Sequence, residues 1–161
     1  MTTASQPPFR ADHVGSLLRP KFLLEARAAA AKGQISPVQL REVEDRAIEN
    51  AIRLQEDVGL KSVTDGEFRR TYFHIDFLEQ LGGVETDIPV TIKKPDGTEE
   101  LAPPVMRVVD KVEHTKDIQL ADFEFLAAHT QQTPKVTIPS PTMLHFRGGR
   151  GIVERERPVA V

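Results

Sequence analysis

The stretch LKSVTDGEFRRTYFHIDFL, residues 60–78, decides the fold class. It begins with a short β-capable run, Leu60–Thr64, turns at Asp65-Gly66-Glu67, and continues into Tyr72–Leu81, which has the pattern of a helix. Because another helix precedes it, the order is helix, strand, polar loop, helix. This order is typical of parallel α/β proteins, in which functional residues collect at the carboxyl ends of strands. The two carboxylates of the loop occupy such a position.

The preceding helix is the clearest element of the sequence. Ser36 is an N-cap residue, Pro37 suits the first helical position, and Gly59 is the predicted end. An alanine-rich helix is also predicted at Lys21–Lys32, with Gly33 as its stop. Spacings of three and four predict that the longer helix buries one apolar stripe, formed by Leu40, Val43, Ala47, Ala51, Leu54 and Val58.

Two further strand-to-loop transitions extend the α/β order. One lies in Phe9–Pro20, near residue 14, and the other follows Pro134–Ile138, near residue 138. A helix from about Asp117 to Thr130 precedes the last strand, and its predicted inner face is Leu120, Phe123, Leu126 and Ala127. The sequence therefore predicts about three βα units in a single domain, residues 1–161.

Residues 82–114 interrupt this order. IPVTIKK and PVMRVV are strand-like, and Pro95-Asp96-Gly97 between them predicts an inserted antiparallel β-hairpin at about 84–113. The final residues, about 148–161, carry glycine and charge without periodicity and are expected to be loosely ordered.

Composition excludes several functional classes. The chain has 161 residues, 21 basic and 24 acidic side chains and a formal net charge of −3, so we expect neither a nucleic-acid nor a membrane partner. It has no apolar run of the roughly 20 residues that cross a bilayer, and a cytoplasmic location is expected. Cysteine is absent, which excludes disulfides and cysteine-containing metal sites from these residues.

Two polar segments are candidates for a binding site. Carboxylates on both sides of Gly66 can hold an ammonium group or act as acid and base, or they can form a solvated turn paired with Arg69 and Arg70. His13-Val14-Gly15-Ser16 offers backbone groups and a hydroxyl to a polar ligand, although a histidine beside a glycine is also often structural.

The remaining histidines carry weaker signals. His74 lies among aromatic residues and is predicted to pack, whereas His114 and His129 are predicted to lie on the surface. His145 and Arg147 follow the third strand, where Arg147 is either an anion ligand or part of a cationic loop. No two histidines have the spacing of a metal-ligand pair, and no metal ligand is assigned to this chain.

Three motifs together resemble the cobalamin-independent methionine synthase family. They are HVGSLLRP at 13–20, VTDGEFRRTYFHIDF at 63–77 and VTIPSPTMLHF at 136–146, in this order. The likeness is closest to the shorter single-barrel members, called methionine synthase II. It implies that the chain is the N-terminal part of a (β/α)8 TIM barrel, the fold shared with uroporphyrinogen decarboxylase.

The resemblance also implies a chemistry and a set of site residues. Family members transfer a methyl group from 5-methyltetrahydrofolate polyglutamate to homocysteine, whose thiol is activated by zinc. The positions that match their homocysteine-binding motifs are Val14, Gly15, Ser16 and Glu67. Further pocket candidates are His13, Arg19, Asp65, Ser140 and Thr142. The larger synthases often carry histidine where this chain has Asp65, so no role is assigned to that residue.

The family's zinc ligands, a histidine, two cysteines and usually a glutamate, come from later strands than these residues contain. A barrel of this type needs about 250 residues, so we expect a truncated, frameshifted or split form that is inactive alone. A C-terminal half-barrel chain would then be its partner. The alternatives are a self-associating, non-catalytic binding module and an alkyl transferase acting on another thiol.

Overall fold

A computed structural model describes residues 13–87, 91–94, 96–101 and 104–146, apart from the side chains in the 91–93 and 99–101 strands and those of residues 145 and 146. The chain divides into two compact units. The first comprises the residues up to Thr71 together with Gln119–Thr137, and the second comprises Tyr72–Ile118 and the residues from Ile138 onward. The predicted single domain stays a prediction.

The first unit is a mixed α/β structure built on two long helices. Helix α1 is Lys21–Ala31 and α2 is Pro37–Asp57. Ser36 and Gln39 form a reciprocal capping box at the start of α2, and Gly59 has the positive φ that ends such helices. Both predicted helices are therefore confirmed.

A short parallel sheet completes this unit. Strand β1, Ser62–Val63, pairs in parallel with β6, Thr133–Pro134, and the Lys135 N–H extends the ladder to the Val63 carbonyl at 2.8 Å. Helix α4, Leu120–His129, precedes β6. The predicted second and third strands are thus neighbours, while the strand predicted from Phe9 lies mostly outside the described residues. The core beneath consists of Leu23, Ala47, Ile48, Ala51, Ile52, Val63, Phe68 and Leu126.

Two predicted helix faces are wrong in detail. In α2 the buried residues are Glu44, Ala47, Ile48, Ala51, Ile52 and Gln55, whereas Leu54 and Val58 are exposed. The inner face is rotated because it includes two polar side chains that an apolar periodicity overlooks. In α4 only Leu126 is fully buried, and Leu120 and Ala127 are exposed.

The second unit contains two nested antiparallel pairs. Strand β2, Gly82–Thr86, pairs with β5, Met106–Glu113, and β3, Thr91–Lys93, pairs with β4, Glu99–Leu101. PVMRVV was predicted to pair with IPVTIKK, but it pairs with the strand before it. Gly83 fits the resulting bulge because a Cβ there would lie 2.4 Å from the Lys111 carbonyl oxygen.

Two short helices belong to the same unit. Helix α3 covers only Ile75–Leu78 of the predicted Tyr72–Leu81 helix, and α5 is Met143–Phe146. The α3 segment is shortened because Asp76 accepts the Tyr72 N–H at 2.7 Å, and because tight turns to Phe77 and Leu78 close its end. Within the described ranges, no helix is long and apolar enough to cross a membrane. Residues 147–161, including Arg147 and the predicted loose tail, lie outside those ranges.

Candidate functional site

The loop after β1, residues 64–70, lies against the segment 13–19. The Thr64 hydroxyl donates to the Gly15 carbonyl at 2.7 Å, and the Leu17 N–H donates to the Gly66 carbonyl at 3.0 Å. These two hydrogen bonds tie together two of the motifs that the sequence singled out. Both segments belong to the first unit.

Glu67 is the most unusual residue of this loop. It is 4% exposed and has a φ of 57°, a left-handed conformation that costs a non-glycine residue about 1–2 kcal/mol. Its N–H donates to Asp65 Oδ1 at 2.9 Å, which closes a turn around Gly66. Strained backbone at a buried charged residue is typical of binding and catalytic sites, where the surroundings hold the conformation.

One oxygen of the Glu67 carboxylate has a hydrogen-bond donor and a nearby cation. The Thr137 hydroxyl donates to Oε1 at 2.5 Å, and Arg70 Nη1 lies 3.7 Å from the same atom. Arg70 also donates to the Thr137 carbonyl at 2.7 Å. Among the residues that the structure describes, none donates a hydrogen bond to Oε2. The carboxylate is therefore held through Oε1, and Oε2 remains without a donor from the described residues.

Gly15 allows the 13–19 segment to approach this carboxylate. Its φ is 139°, and a Cβ at this position would lie 2.7 Å from Thr137 Cγ2 and 3.6 Å from Glu67 Oε1. Only glycine combines that backbone conformation with so little space. The backbone of Gly15 thus forms one wall beside Glu67.

Arginine side chains hold the carbonyl groups of the loop. Arg19 Nη2 donates to the carbonyls of Glu67 at 3.0 Å and Arg70 at 2.6 Å. Arg27 donates to the Arg70 carbonyl at 3.1 Å and to that of Phe68, and it pairs with the buried Glu44 at 3.2 Å. Carbonyl groups in a turn lack the hydrogen bonds that a β-sheet would provide. The Arg19 and Arg27 side chains donate to these carbonyls instead and thereby fix the loop.

The solvated-turn interpretation is wrong. Asp65 and Glu67 are buried. Of the two arginines expected to pair with these acids, Arg70 lies 3.7 Å from Glu67 Oε1, but Arg69 pairs with neither acid. Arg69 instead contacts Asp45 of α2 and Asp122 of α4, and its guanidinium lies 4.7 Å from the Phe125 ring centroid. Arg69 therefore links the loop to α2 and α4.

Asp65 is a buried acid beside Glu67. Burial is the main cause that raises its pKa above the ordinary 3.8, although the Glu67 N–H and the Arg70 charge act in the opposite direction. Its contribution to stability is therefore fully present below about pH 4 and is lost as pH rises through the raised folded-state pKa. At neutral pH the ionised form opposes folding.

We expect Asp65→Asn to be more stable than the unaltered chain at pH 7. The amide oxygen can still accept the Glu67 N–H, and the cost of burying a charge disappears. Urea unfolding at pH 4 to 8 should show a weaker decline with pH for the variant. The decline should not vanish, because burial raises the pKa of Glu44 in the same direction. A variant less stable than the unaltered chain at pH 7 would contradict this account.

His13 is held by α2. Its Nε2 lies 2.8 Å from Gln55 Oε1, an atom that also accepts the Thr64 N–H at 3.0 Å. Because the Gln55 amide nitrogen donates to the Ala51 and Thr64 carbonyls, its oxygen must face His13, and Nε2 carries the proton. The geometry makes His13 a link between the 13–19 segment and α2.

The remaining residues singled out from the sequence lie in both units. Arg19 supports the loop, and the side chains of Val14 and Ser16 are exposed on the segment beside it. Ser140 and Thr142 are exposed in the second unit, with their hydroxyl oxygens 2.8 Å apart. His74 is buried at the start of α3, and its ring lies 4.5 Å from that of Phe73, which confirms the predicted packing.

Sequence reasoning missed three residues that shape the site: Glu44, Gln55 and Thr137. Glu44 and Gln55 were missed because the buried face of α2 was predicted from apolar residues alone. Thr137 lies near the end of the third predicted strand, a signal that the sequence does contain, whereas the predicted pocket residues Ser140 and Thr142 lie in the loop after it. In the described residues, no group of three or more histidine, aspartate or glutamate side chains is arranged to hold a metal ion.

The chain is similar to proteins of one family. Residues 10–146 match the family model described as "Cobalamin-independent synthase, Catalytic domain". Protein YxjH of Bacillus subtilis is 44% identical over 150 residues, which cover 91% of this chain and 40% of YxjH. The methionine synthase of Sulfurisphaera tokodaii is 35% identical over 130 residues, covering 80% of this chain and 37% of that protein.

Solved structures give the same result. A Listeria monocytogenes protein, described as a candidate vitamin-B12-independent methionine synthase, superposes with a TM-score of 0.70 at 40% identity, covering 88% of this chain and 39% of that one. A B12-independent methionine synthase from Shewanella in complex with selenomethionine gives 0.54 at 27% identity, with 69% and 32% covered. The chain thus spans about 40% of the length of YxjH and of the Listeria protein.

Proposed function

Because the chain belongs to the cobalamin-independent methionine synthase family, we propose that its 13–19 and 64–70 segments, together with Thr137, bind the amino-acid part of homocysteine. Glu67 receives the α-ammonium group through Oε2. The backbone and hydroxyl of the Val14-Gly15-Ser16 segment receive the α-carboxylate. In this proposal the chain is the N-terminal part of a TIM barrel, with about three βα units.

One observation carries the proposal: a buried carboxylate, fixed through Oε1 by Thr137 and Arg70, has its second oxygen without a donor in the described residues. A charged acceptor in such a position is completed by a charged donor, and an ammonium group gives the short, strong hydrogen bond required. A thiol substrate without an ammonium group would leave Oε2 of Glu67 without a donor. Homocysteine therefore fits this pocket better than an amine-free thiol such as coenzyme M.

The complete reaction is proposed for a longer assembly. Similar proteins from Mesorhizobium japonicum and a Synechococcus strain are named 5-methyltetrahydropteroyltriglutamate–homocysteine methyltransferases, and we propose the same methyl donor and acceptor here. The part of the Sulfurisphaera protein that this chain does not match supplies the remaining barrel in our proposal.

We expect mixing this chain with that remaining part, loaded with zinc, to produce methyl transfer to homocysteine. Methionine formed from 5-methyltetrahydropteroyltriglutamate is the readout, and each polypeptide alone serves as a control. A soluble, zinc-loaded complex of the two polypeptides that forms no methionine would contradict the proposed activity.

Zinc does not fit the residues described here. They contain no cluster of three potential ligand side chains, and the sequence has no cysteine. We therefore assign no step of the reaction to a metal held by this part of the chain. Binding of the amino-acid group needs only the residues named above.

A second candidate function is an interaction module. The 13–19 segment of the first unit exposes apolar side chains, with Val14 84% and Leu18 96% exposed. Such side chains favour a covering partner, which in this reading is a second copy of the chain. A monodisperse dimer in size-exclusion chromatography that does not bind homocysteine would favour this candidate over the first.

A further inference from the structure

We propose that Thr137 is a positioning residue for ligand binding: its hydroxyl holds Oε1 of Glu67 so that Oε2 is presented to the ammonium group of an amino-acid ligand. This inference rests on the proposed function and deepens it. Thr137 lies in the 136–146 motif but is not among the site residues assigned from the sequence.

The direction of the hydrogen bonds supports this role. A guanidinium group only donates, so the contact between Arg70 Nη1 and Thr137 Oγ1 at 3.4 Å makes the hydroxyl an acceptor from Arg70. Its single proton is then available to Glu67 Oε1, 2.5 Å away. The threonine hydroxyl thus accepts a hydrogen bond from Arg70 and donates one to Oε1 of Glu67.

The backbone of Thr137 is fixed independently of that hydroxyl. Its carbonyl accepts from Arg70 Nη2 at 2.7 Å, and its methyl group faces the site where a Gly15 Cβ would lie. Loss of the hydroxyl alone should therefore leave residue 137 in place while freeing the Glu67 side chain. This separation gives the experiment its matched pair of variants.

Thr137→Val removes the hydroxyl and keeps the shape, whereas Thr137→Ser keeps the hydroxyl and removes the methyl. In calorimetric titrations, we expect the serine variant to bind L-homocysteine within about threefold of the unaltered chain, and the valine variant to bind about tenfold more weakly, the typical effect of one hydrogen bond to a charged group. Equal affinities of the unaltered chain and the valine variant would overturn the proposal, and so would equal losses in both variants.

A ligand control separates positioning from general damage to the fold. 4-Mercaptobutanoate lacks the ammonium group but keeps the thiol and the carboxylate. The valine variant should lose about tenfold of its preference for L-homocysteine over this analogue, since only the ammonium contact depends on Glu67. A parallel loss of affinity for both ligands would indicate a merely structural role and would contradict the inference.

Failure of the proposed function can be distinguished from failure of this inference. If the unaltered chain does not bind homocysteine, the double-mutant cycle of Thr137→Val and Glu67→Ala in urea unfolding still tests the contact. A coupling of about tenfold in the unfolding equilibrium constant supports the positioning contact. Additive effects overturn it.

Discussion

Glu67→Gln should weaken L-homocysteine binding by about 30-fold or more, the range for removing one partner of a buried charge pair. Thr137 donates a hydrogen bond to Oε1 and the Arg70 guanidinium lies 3.7 Å from it, so the glutamine oxygen will occupy that position. Its NH2 group then replaces Oε2 and faces the ammonium of the ligand. The attraction between the carboxylate and the ammonium group is thereby replaced by the close approach of two hydrogen-bond donors. Calorimetric titration measures the resulting loss of homocysteine affinity.

The fold should survive this substitution. The hydrogen bond from Thr137 and the backbone bonds of residue 67 to Asp65, Arg19 and Arg70 remain available, but the buried Arg70 loses a carboxylate 3.7 Å away. The unfolding free energy should therefore fall by about 1–3 kcal/mol. Glu25→Gln is the matched control, since Glu25 is exposed on α1 and far less constrained. Equal affinities of the Glu67 variant and the control would remove Glu67 from the binding site.

Gly15→Ala should reduce both stability and homocysteine affinity. The new Cβ would lie 2.7 Å from Thr137 Cγ2 at a φ of 139°, so either the 13–19 segment or Thr137 must move. Overpacking and backbone strain each contribute about 1–3 kcal/mol, and urea unfolding should show a loss in this range or above it. Affinity falls as well, because the displaced Thr137 no longer holds Glu67.

Gly33→Ala separates the cost of backbone strain from the cost of overpacking. Gly33 also has a positive φ, 70°, but a Cβ there meets nothing within 4 Å. This control should lose only the backbone term, about 1–2 kcal/mol, and should bind homocysteine as the unaltered chain does. If Gly15→Ala cost no more than Gly33→Ala and left binding unchanged, the close approach at Gly15 would have no functional importance.

Local signals in the sequence predicted the helices of the first unit and its two short strands, but not the pairing of these strands. The capping box at Ser36, the proline after it and Gly59 act within a few residues, and their effect is legible without tertiary structure. The inner face of α2 was less predictable. Glu44 and Gln55 are buried there because Arg27, Thr64 and His13 provide partners from distant parts of the chain.

The same distinction applies to the site and to the second unit. Glu67 was predictable from its place after a strand and from its motif, but Thr137 acquires its role only when β1 and β6 become neighbours. The pairing of β5 with β2 depends on a bulge at Gly83 and on chain closure across the 19 residues 87–105, neither of which a turn motif specifies. Long-range contacts account for the buried polar residues of α2, the role of Thr137 and the pairing of β5, whereas local hydrogen bonds account for the shortened α3.

The most direct test of the central claim is a crystal structure of this chain with L-homocysteine bound. We predict that the ammonium nitrogen lies about 2.7–2.9 Å from Glu67 Oε2, the distance of a charge-assisted hydrogen bond, while Oε1 remains bonded to Thr137. The ligand carboxylate should face the Gly15-Ser16 backbone. Homocysteine bound elsewhere, or with its ammonium group directed away from Glu67, would contradict the account.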